Sequence, residues 1–449
     1  MFELDIFKDI LKLNIGISQP DNQIMFDALN TIYPINIHRH ETGREHNGWI
    51  IPHQWNVKKA LIKQNGKILF DGTIHPLAVA GNSHSYSGVV SKEELDNHIF
   101  YRKKVPNAYN YHCMNYYKSW INDWGFCVPY NIWKDWGNAD YDIELETEHI
   151  KGEMLVGECT HQGELSETII FNAHTCHPCQ FNDDLSGVAV ILALFKWLNN
   201  QKTRYTYKGL LGPEFFGSVF YLADLSENQL SNLKMGTFVE MVGIDNTLTL
   251  QQSFTGKSIM DQVVEDALKC INPKLKVGPF RTIVGNDEIT WDSPGIEIPF
   301  TSISRCFDSP NFYDQYHTNE DDLSINSENR LLETFEGLKK IVTTFEKDST
   351  IHRKFKGLVS LSNPKYDLYI PRPRAGIRKK LSEMELKLGH LQDTLPRYFN
   401  GEYSIFQLAD KFNLEFNFML EYIEKYRDKN LVDFKKITSL DSYKKDISL

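Results

Sequence analysis

The stretch from Thr168 to Leu198 constrains this chain more than any other. Thr168-Ile-Ile-Phe-Asn-Ala is a short apolar run of the kind that lies inside a sheet with both faces covered. Gly187-Val-Ala-Val-Ile-Leu-Ala-Leu-Phe-Lys-Trp-Leu is almost wholly apolar at helical length, which predicts a buried helix capped by Ser186. The loop between them carries His174, His177, Asp183 and Asp184. A strand, a polar loop and a buried helix in that order form one α/β unit, and ligands in open α/β sheets bind at the carboxyl ends of strands. The N and O donors of His and Asp suit zinc. Either His174, directly after the strand, or His177 can partner Asp183. Cys176-His-Pro-Cys179 also has the spacing of a redox dithiol, but no second CxxC exists to complete a four-thiolate zinc site.

The rest of the chain divides around this unit. Its 449 residues predict two to four domains. Residues 1–40 read as a helix pair. From Gly48 to Tyr117 short apolar segments alternate with turn residues such as Asn65-Gly66 and Asp71-Gly72, the pattern of a small β-rich module. Strands and helices alternate from about 140 to 345. Tyr141–Glu148 and Gly152–Cys159 read as a hairpin, while Lys208–Gly212, Thr237–Val242 and Ile298–Ile303 read as strands. After prolines 364, 371 and 373 the tail reads as helices Gly376–Asp393, Ser404–Phe412 and Asn417–Lys429, then a strand at Leu431–Phe434, a winged-helix order. The division expected is an α/β domain at 1–47 and 128–360, an inserted β-rich module at 48–127, and a winged helix at 365–449.

Composition narrows the partners. No apolar run reaches the roughly 18–20 residues that span a bilayer, and the first residues are acidic where a secretory signal would be basic. Both point to a cytoplasmic chain with no membrane partner. Seven cysteines are too few for a disulfide scaffold and read as reduced thiols. The net charge of −10 disfavours nucleic acid. Within 401–434, where a recognition helix would lie, 4 basic residues face 7 acidic ones, so DNA binding is not expected despite the winged helix. A homo-oligomer is compatible with everything above.

Asn182-Asp-Asp-Leu-Ser-Gly187 resembles the Asp-Asn-x-Ser-Gly motif of the co-catalytic zinc aminopeptidases, a group that includes glutamate carboxypeptidases and glutaminyl cyclases. A narrower resemblance covers nearly the whole chain. Trp49-Ile-Ile-Pro-His-Gln-Trp55, Tyr116-Tyr-Lys-Ser-Trp, Trp124-Gly-Phe-Cys127, Gly212-Pro-Glu-Phe-Phe-Gly-Ser218 and Tyr316-His-Thr-Asn-Glu-Asp321 look like the signatures of bacterial aminopeptidase-like proteins associated with polysaccharide biosynthesis, which carry a winged-helix tail. The resemblance implies a zinc-aminopeptidase-like mixed sheet flanked by helices. It also implies one or two zinc ions and hydrolysis of an amide bond in a peptide or N-acylated small molecule.

By the same resemblance His177 and Asp183 are metal ligands, Asp183 as the bridge, and His317 is a third. Phe238-Val-Glu-Met-Val-Gly243 resembles a strand-end Asp-Met-x-Gly ligand with Glu240 in place of Asp; a carboxylate inside an apolar strand must also be paired or metal-bound. The wider group has two adjacent glutamates where this chain has Pro213-Glu214, so Glu214 is expected as the general base, with metal ligation its second reading. Tyr316 is a candidate oxyanion donor, and Asp287 falls in a segment implied to line the substrate pocket. Trp49, Trp55, Tyr116 and Trp124 belong either to that pocket or to the core. Deacylase, cyclase and non-catalytic binding roles share the scaffold.

Overall fold

The computed structural model describes residues 1–113, 115–306, 312–371 and 381–444. The chain forms two compact units, Met1–Gly256 with Lys274–Phe335, and Lys257–Pro273 with Glu336–Leu449.

In the first unit, α1 (Leu4–Ile10) and α2 (Asp21–Asn30) precede β1 (Asn36–Glu41). Next come β2 (Gln54–Gln64), β3 (Lys67–Asp71), β4 (Tyr86–Ser91) and β5 (Asp140–Ile150). They are followed by β6 (Glu153–His161), β7 (Thr168–His174), α3 (Ser186–Leu198), β8 (Thr206–Gly212), α4 (Phe216–Ala223) and β9 (Leu233–Val239). Strands β10 (Thr249–Gln251), β11 (Lys276–Gly278) and β12 (Phe300–Ser304) complete the main sheet of this unit. An eight-stranded mixed sheet runs β1-β6-β8-β7-β9-β12-β10-β11. At its centre β8, β7, β9 and β12 are parallel neighbours, linked by helical crossovers. Every residue of β7 is buried, as its unbroken apolar run predicts for a strand covered on both faces. Helix α3 is apolar nearly all round because it is buried nearly all round.

Ser186 does not cap α3. It is the first helical residue, its Oγ donating to the Asn182 carbonyl and accepting from Val242 N. The loop needs the next residue to be glycine: a Cβ on Gly187 would stand 2.0 Å from the Val239 carbonyl oxygen, so only glycine lets α3 start against the end of β9.

A second, four-stranded antiparallel sheet, β3-β2-β5-β4, encloses its own core of Trp55, Phe126, Tyr141 and neighbours. Strand β5 pairs with β2 and β4 rather than with β6, so the hairpin expected at 141–159 does not form. The two strands adjoin in sequence but belong to different sheets, and the small sheet thereby recruits a strand from beyond residue 127.

The second unit contains α5 (Ile259–Ile271) and most of α6 (Glu328–Lys347), within which the boundary falls. Its three-stranded sheet places β13 (Ser349–Arg353) between β14 (Asn400–Ser404) and β15 (Val432–Lys436). Helices α7 (Glu383–Leu391), α8 (Ile405–Lys411) and α9 (Phe416–Asp428) accompany it. The central strand lies upstream of residue 365. Pro373 and the start of the helix expected from Gly376 lie outside the described residues. No described helix is long and apolar enough to cross a membrane.

One buried acid stabilises the sheet edge. Glu158 on β6 accepts from Lys208 Nζ at 2.9 Å, Tyr221 Oη at 2.8 Å and Thr160 Oγ1 at 2.8 Å, with His38 Nε2 at 3.3 Å. Burial pushes its pKa up, but His38, Lys208 and Thr160 outweigh that and hold it at about 2. A depressed carboxylate contributes stability above its unfolded pKa that is lost as pH falls through its folded value. This one is worth on the order of 3 kcal/mol, lost between about pH 4.5 and 2. Urea unfolding at pH 7 and pH 3 is expected to show Glu158→Gln less stable at pH 7, with the gap to the parent narrowing at pH 3.

Candidate metal centre

The parallel strands deliver their carboxyl ends to one cavity of about 210 Å³. β7 ends on His174 and the loop after it carries Cys176, His177 and Asp183; after β8 comes Glu214; and the segment before α6 contributes Tyr316 and His317. Ligand atoms of His177, Asp183 and His317 all lie within 4.8 Å of one another, the one such group among the described residues. Asp183 Oδ2 is 3.5 Å from His177 Nε2 and 3.2 Å from His317 Nε2.

The donor set fits a cation. His177 Nδ1 lies 2.9 Å from the Pro178 carbonyl oxygen, which can only accept, so Nδ1 carries a proton and Nε2 is the ring nitrogen turned to Asp183. That nitrogen is buried and faces a carboxylate oxygen. A positive charge, a proton or a bound cation, holds a nitrogen and a carboxylate oxygen together at such a distance, and N,O,N is a zinc-compatible set. Burial opposes ionisation of Asp183, yet the hydrogen bonds and charge of His177 and His317 hold its pKa below the ordinary carboxylate range. Burial lowers His317 despite the same partner.

Two further carboxylates grip the loops. Asp321 accepts from Asn182 N at 2.6 Å, Asp183 N at 3.1 Å and Tyr313 Oη at 2.6 Å. Asp184 accepts from His174 N, Gly187 N and Met241 N at 3.0–3.1 Å, joining the β7 loop, α3 and the end of β9. Gln180 Oε1 receives the N–H of Cys176 and of His177, each at 3.3 Å.

Glu214 lines the same cavity, and Tyr117 Oη donates to its Oε2 at 3.0 Å. Burial, followed by the charge of Asp183, pushes its pKa up to about 7, with Tyr117 pulling the other way. A carboxylate near neutrality can both take and return a proton at physiological pH. Behind it Trp49 stacks on Phe215 at 5.5 Å.

Two expected site residues are not part of that group. Glu240 is fully buried and outside the His-Asp-His group; the Asn286 amide donates to its Oε2, and its Oε1 is unpartnered. Burial and neighbouring acids raise its pKa well above the ordinary range. Asp287 does not line the cavity. Its carboxylate accepts from Phe215 N and so fixes the backbone beside Glu214, where Phe215 has φ 56°. Tyr316 does line the cavity, stacked on His317 at 3.9 Å. His174 lines it as well, but burial holds that imidazole at a pKa of about 3. Trp55, Tyr116 and Trp124 are core residues. Sequence reasoning missed Tyr111, Tyr117, Asn286 and Asp321, of which Tyr117 and Asp321 sat inside quoted motifs. All seven cysteines are free, and burial pushes Cys176 well up and Cys179 to about 12, so neither supplies the acidic thiol that a redox dithiol needs.

The architecture is that of known aminopeptidases. A crystal structure described as a candidate peptidase from Clostridium acetobutylicum superposes with a TM-score of 0.77 at 24% identity, covering 96% of this chain and 95% of that one. BSAP, a zinc aminopeptidase from Bacillus subtilis, gives a TM-score of 0.56 at 13% identity over 74% of this chain and 91% of its own. In sequence, a Clostridium acetobutylicum protein named as a polysaccharide biosynthesis protein with an aminopeptidase-like domain is 29% identical over 330 residues, 72% of this chain and 73% of that protein. The fold is thus aminopeptidase-like, and a family model described as a domain of unknown function, DUF4910, matches residues 5–348, so the chain belongs to that family.

Proposed function

We propose that this protein is a zinc-dependent amide-bond hydrolase of the aminopeptidase type, acting on a peptide or an N-acylated small molecule. The observation that carries the reading is the convergence of His177, Asp183 and His317, whose ligand atoms all lie within 4.8 Å of one another in a buried cavity. In this reading those three residues hold a zinc ion. Bound zinc supplies Lewis acidity and lowers the pKa of water toward neutrality. Glu214 accepts the proton of the attacking water at its carboxylate and returns it to the leaving amine nitrogen. Tyr117 keeps that carboxylate oriented through its 3.0 Å hydrogen bond. The aromatic walls, Tyr111, Tyr117, Phe312 and Tyr316, exclude solvent from the reacting bond. The second unit, net acidic over 401–434, serves protein packing rather than DNA.

Zinc is expected near one equivalent after gentle purification, and less than half an equivalent removes the enzyme reading. Ligand binding to the folded state alone raises stability by about 2.7 kcal/mol at a hundredfold excess over Kd, so added zinc should raise the melting temperature and a chelator reverse it. His177→Ala should abolish that response.

A panel of aminoacyl and N-acyl amino-sugar substrates then identifies the bond cleaved. Glu214→Gln is expected to retain zinc and lose about 10²–10⁴-fold in kcat. Activity surviving in that variant would take the base role away from Glu214. Because Glu214 acts ionised, kcat/KM should fall on the acid side, with a midpoint below 7 since a nearby cation favours the carboxylate.

A further inference from the structure

Tyr111 lies in neither the β7 loop nor the His317 segment, yet it touches both metal-site imidazoles. Its ring stacks on His177 at 4.2 Å with an interplanar angle of 21°, and meets His317 edge-on at 5.3 Å and 80°. The two imidazoles are themselves 5.1 Å apart at 82°. One ring therefore fits both members of a right-angled pair, in the two arrangements that aromatic rings favour. Imidazole χ2 is a broad, soft torsion, so a flat neighbour decides where the nitrogen points.

The backbone on either side of Tyr111 is clipped to the segment that carries His317. Tyr111 N donates to the His317 carbonyl at 2.7 Å, and Asn110 bridges Thr318. Tyr109 N donates to Asn319 Oδ1 at 2.7 Å, and Asn319 N returns a bond to the Tyr109 carbonyl at 3.1 Å. His317 holds φ 56°, a left-handed value that a residue with a side chain keeps only when its surroundings impose it. Further bonds fix the strap itself: Gly81 N donates to the His112 carbonyl at 2.9 Å, and Arg102 Nε to Asn110 Oδ1 at 3.2 Å.

We propose that the 109–111 strap assembles the metal centre, with Tyr111 as the positioning residue that sets the orientation of His177 and His317. This rests on the zinc reading of the site. The inserted region is then part of the metal-binding apparatus rather than an appendage beside it.

Zinc affinity measured by competition with a chromophoric chelator, together with the visible spectrum of the cobalt-substituted protein, tests this without a substrate. Tyr111→Leu is expected to bind zinc about 10–100-fold more weakly, the usual effect of removing a group that orients a ligand, and to alter the cobalt bands. Tyr111→Phe, which keeps the ring and loses the hydroxyl, should restore both. Asn319→Ala, which removes the side-chain bond to Tyr109 N and keeps all three rings, should weaken zinc binding as well and serves if the Leu variant does not fold. Parental affinity and an unchanged cobalt spectrum in Tyr111→Leu, or in Asn319→Ala where that variant stands in, overturn the proposal and leave the zinc reading intact. A parent that binds no zinc removes both.

Discussion

A carboxylate withdrawn from water between two imidazoles sets the terms for this structure. Asp183 is 5% exposed, and a buried charge of that kind is tolerated only when its partners are fixed in place. The loops that present those partners are locked by other acids, each reaching across from a different segment. Asp321 grips the backbone of Asn182 and Asp183, Asp184 grips Met241, and Asp287 grips Phe215. Met241 and Phe215 both hold left-handed backbone conformations, with φ 48° and 56°. Strain and its restraint coincide here, as expected where a site must be held in one geometry before anything binds.

The short-range part of this was legible in the sequence. A central strand, a ligand loop and a buried helix follow one another within 168–198, and hydrophobic pattern alone determines their order. The same stretch offers His174 or His177 as the partner of Asp183, and the family resemblance chooses His177. His317 required the family resemblance, because nothing local marks a histidine 134 positions after Asp183 as its neighbour.

What stayed hidden was pairing at long range. The partner of Glu240 is Asn286 and that of Phe215 N is Asp287, and composition does not say which way a side chain near a loop will turn. Strand β5 alternates as a half-buried strand should, but periodicity states that a strand exists and not which sheet receives it. Ser186 has the residue type of a helix cap, and the close approach of α3 to β9 diverted its hydroxyl to Asn182 and Val242 instead. Trp55 and Trp124, conspicuous in the sequence, were spent on the core of the small sheet. The less conspicuous Tyr111 and Tyr117 reached the cavity.

The hydrogen bond from Tyr111 to His317 spans more than two hundred residues of chain. Closing a loop of that length is entropically expensive and kinetically slow, and its contacts are rewarded only after the sheets on either side exist. A chain emerging from the ribosome exposes His177 and Asp183 long before residue 317 is made. The metal site therefore has a place in time as well as in space. Under the proposed zinc role, two of its donors are made well before the third, and ion capture would be a late event that reports completion of the first unit.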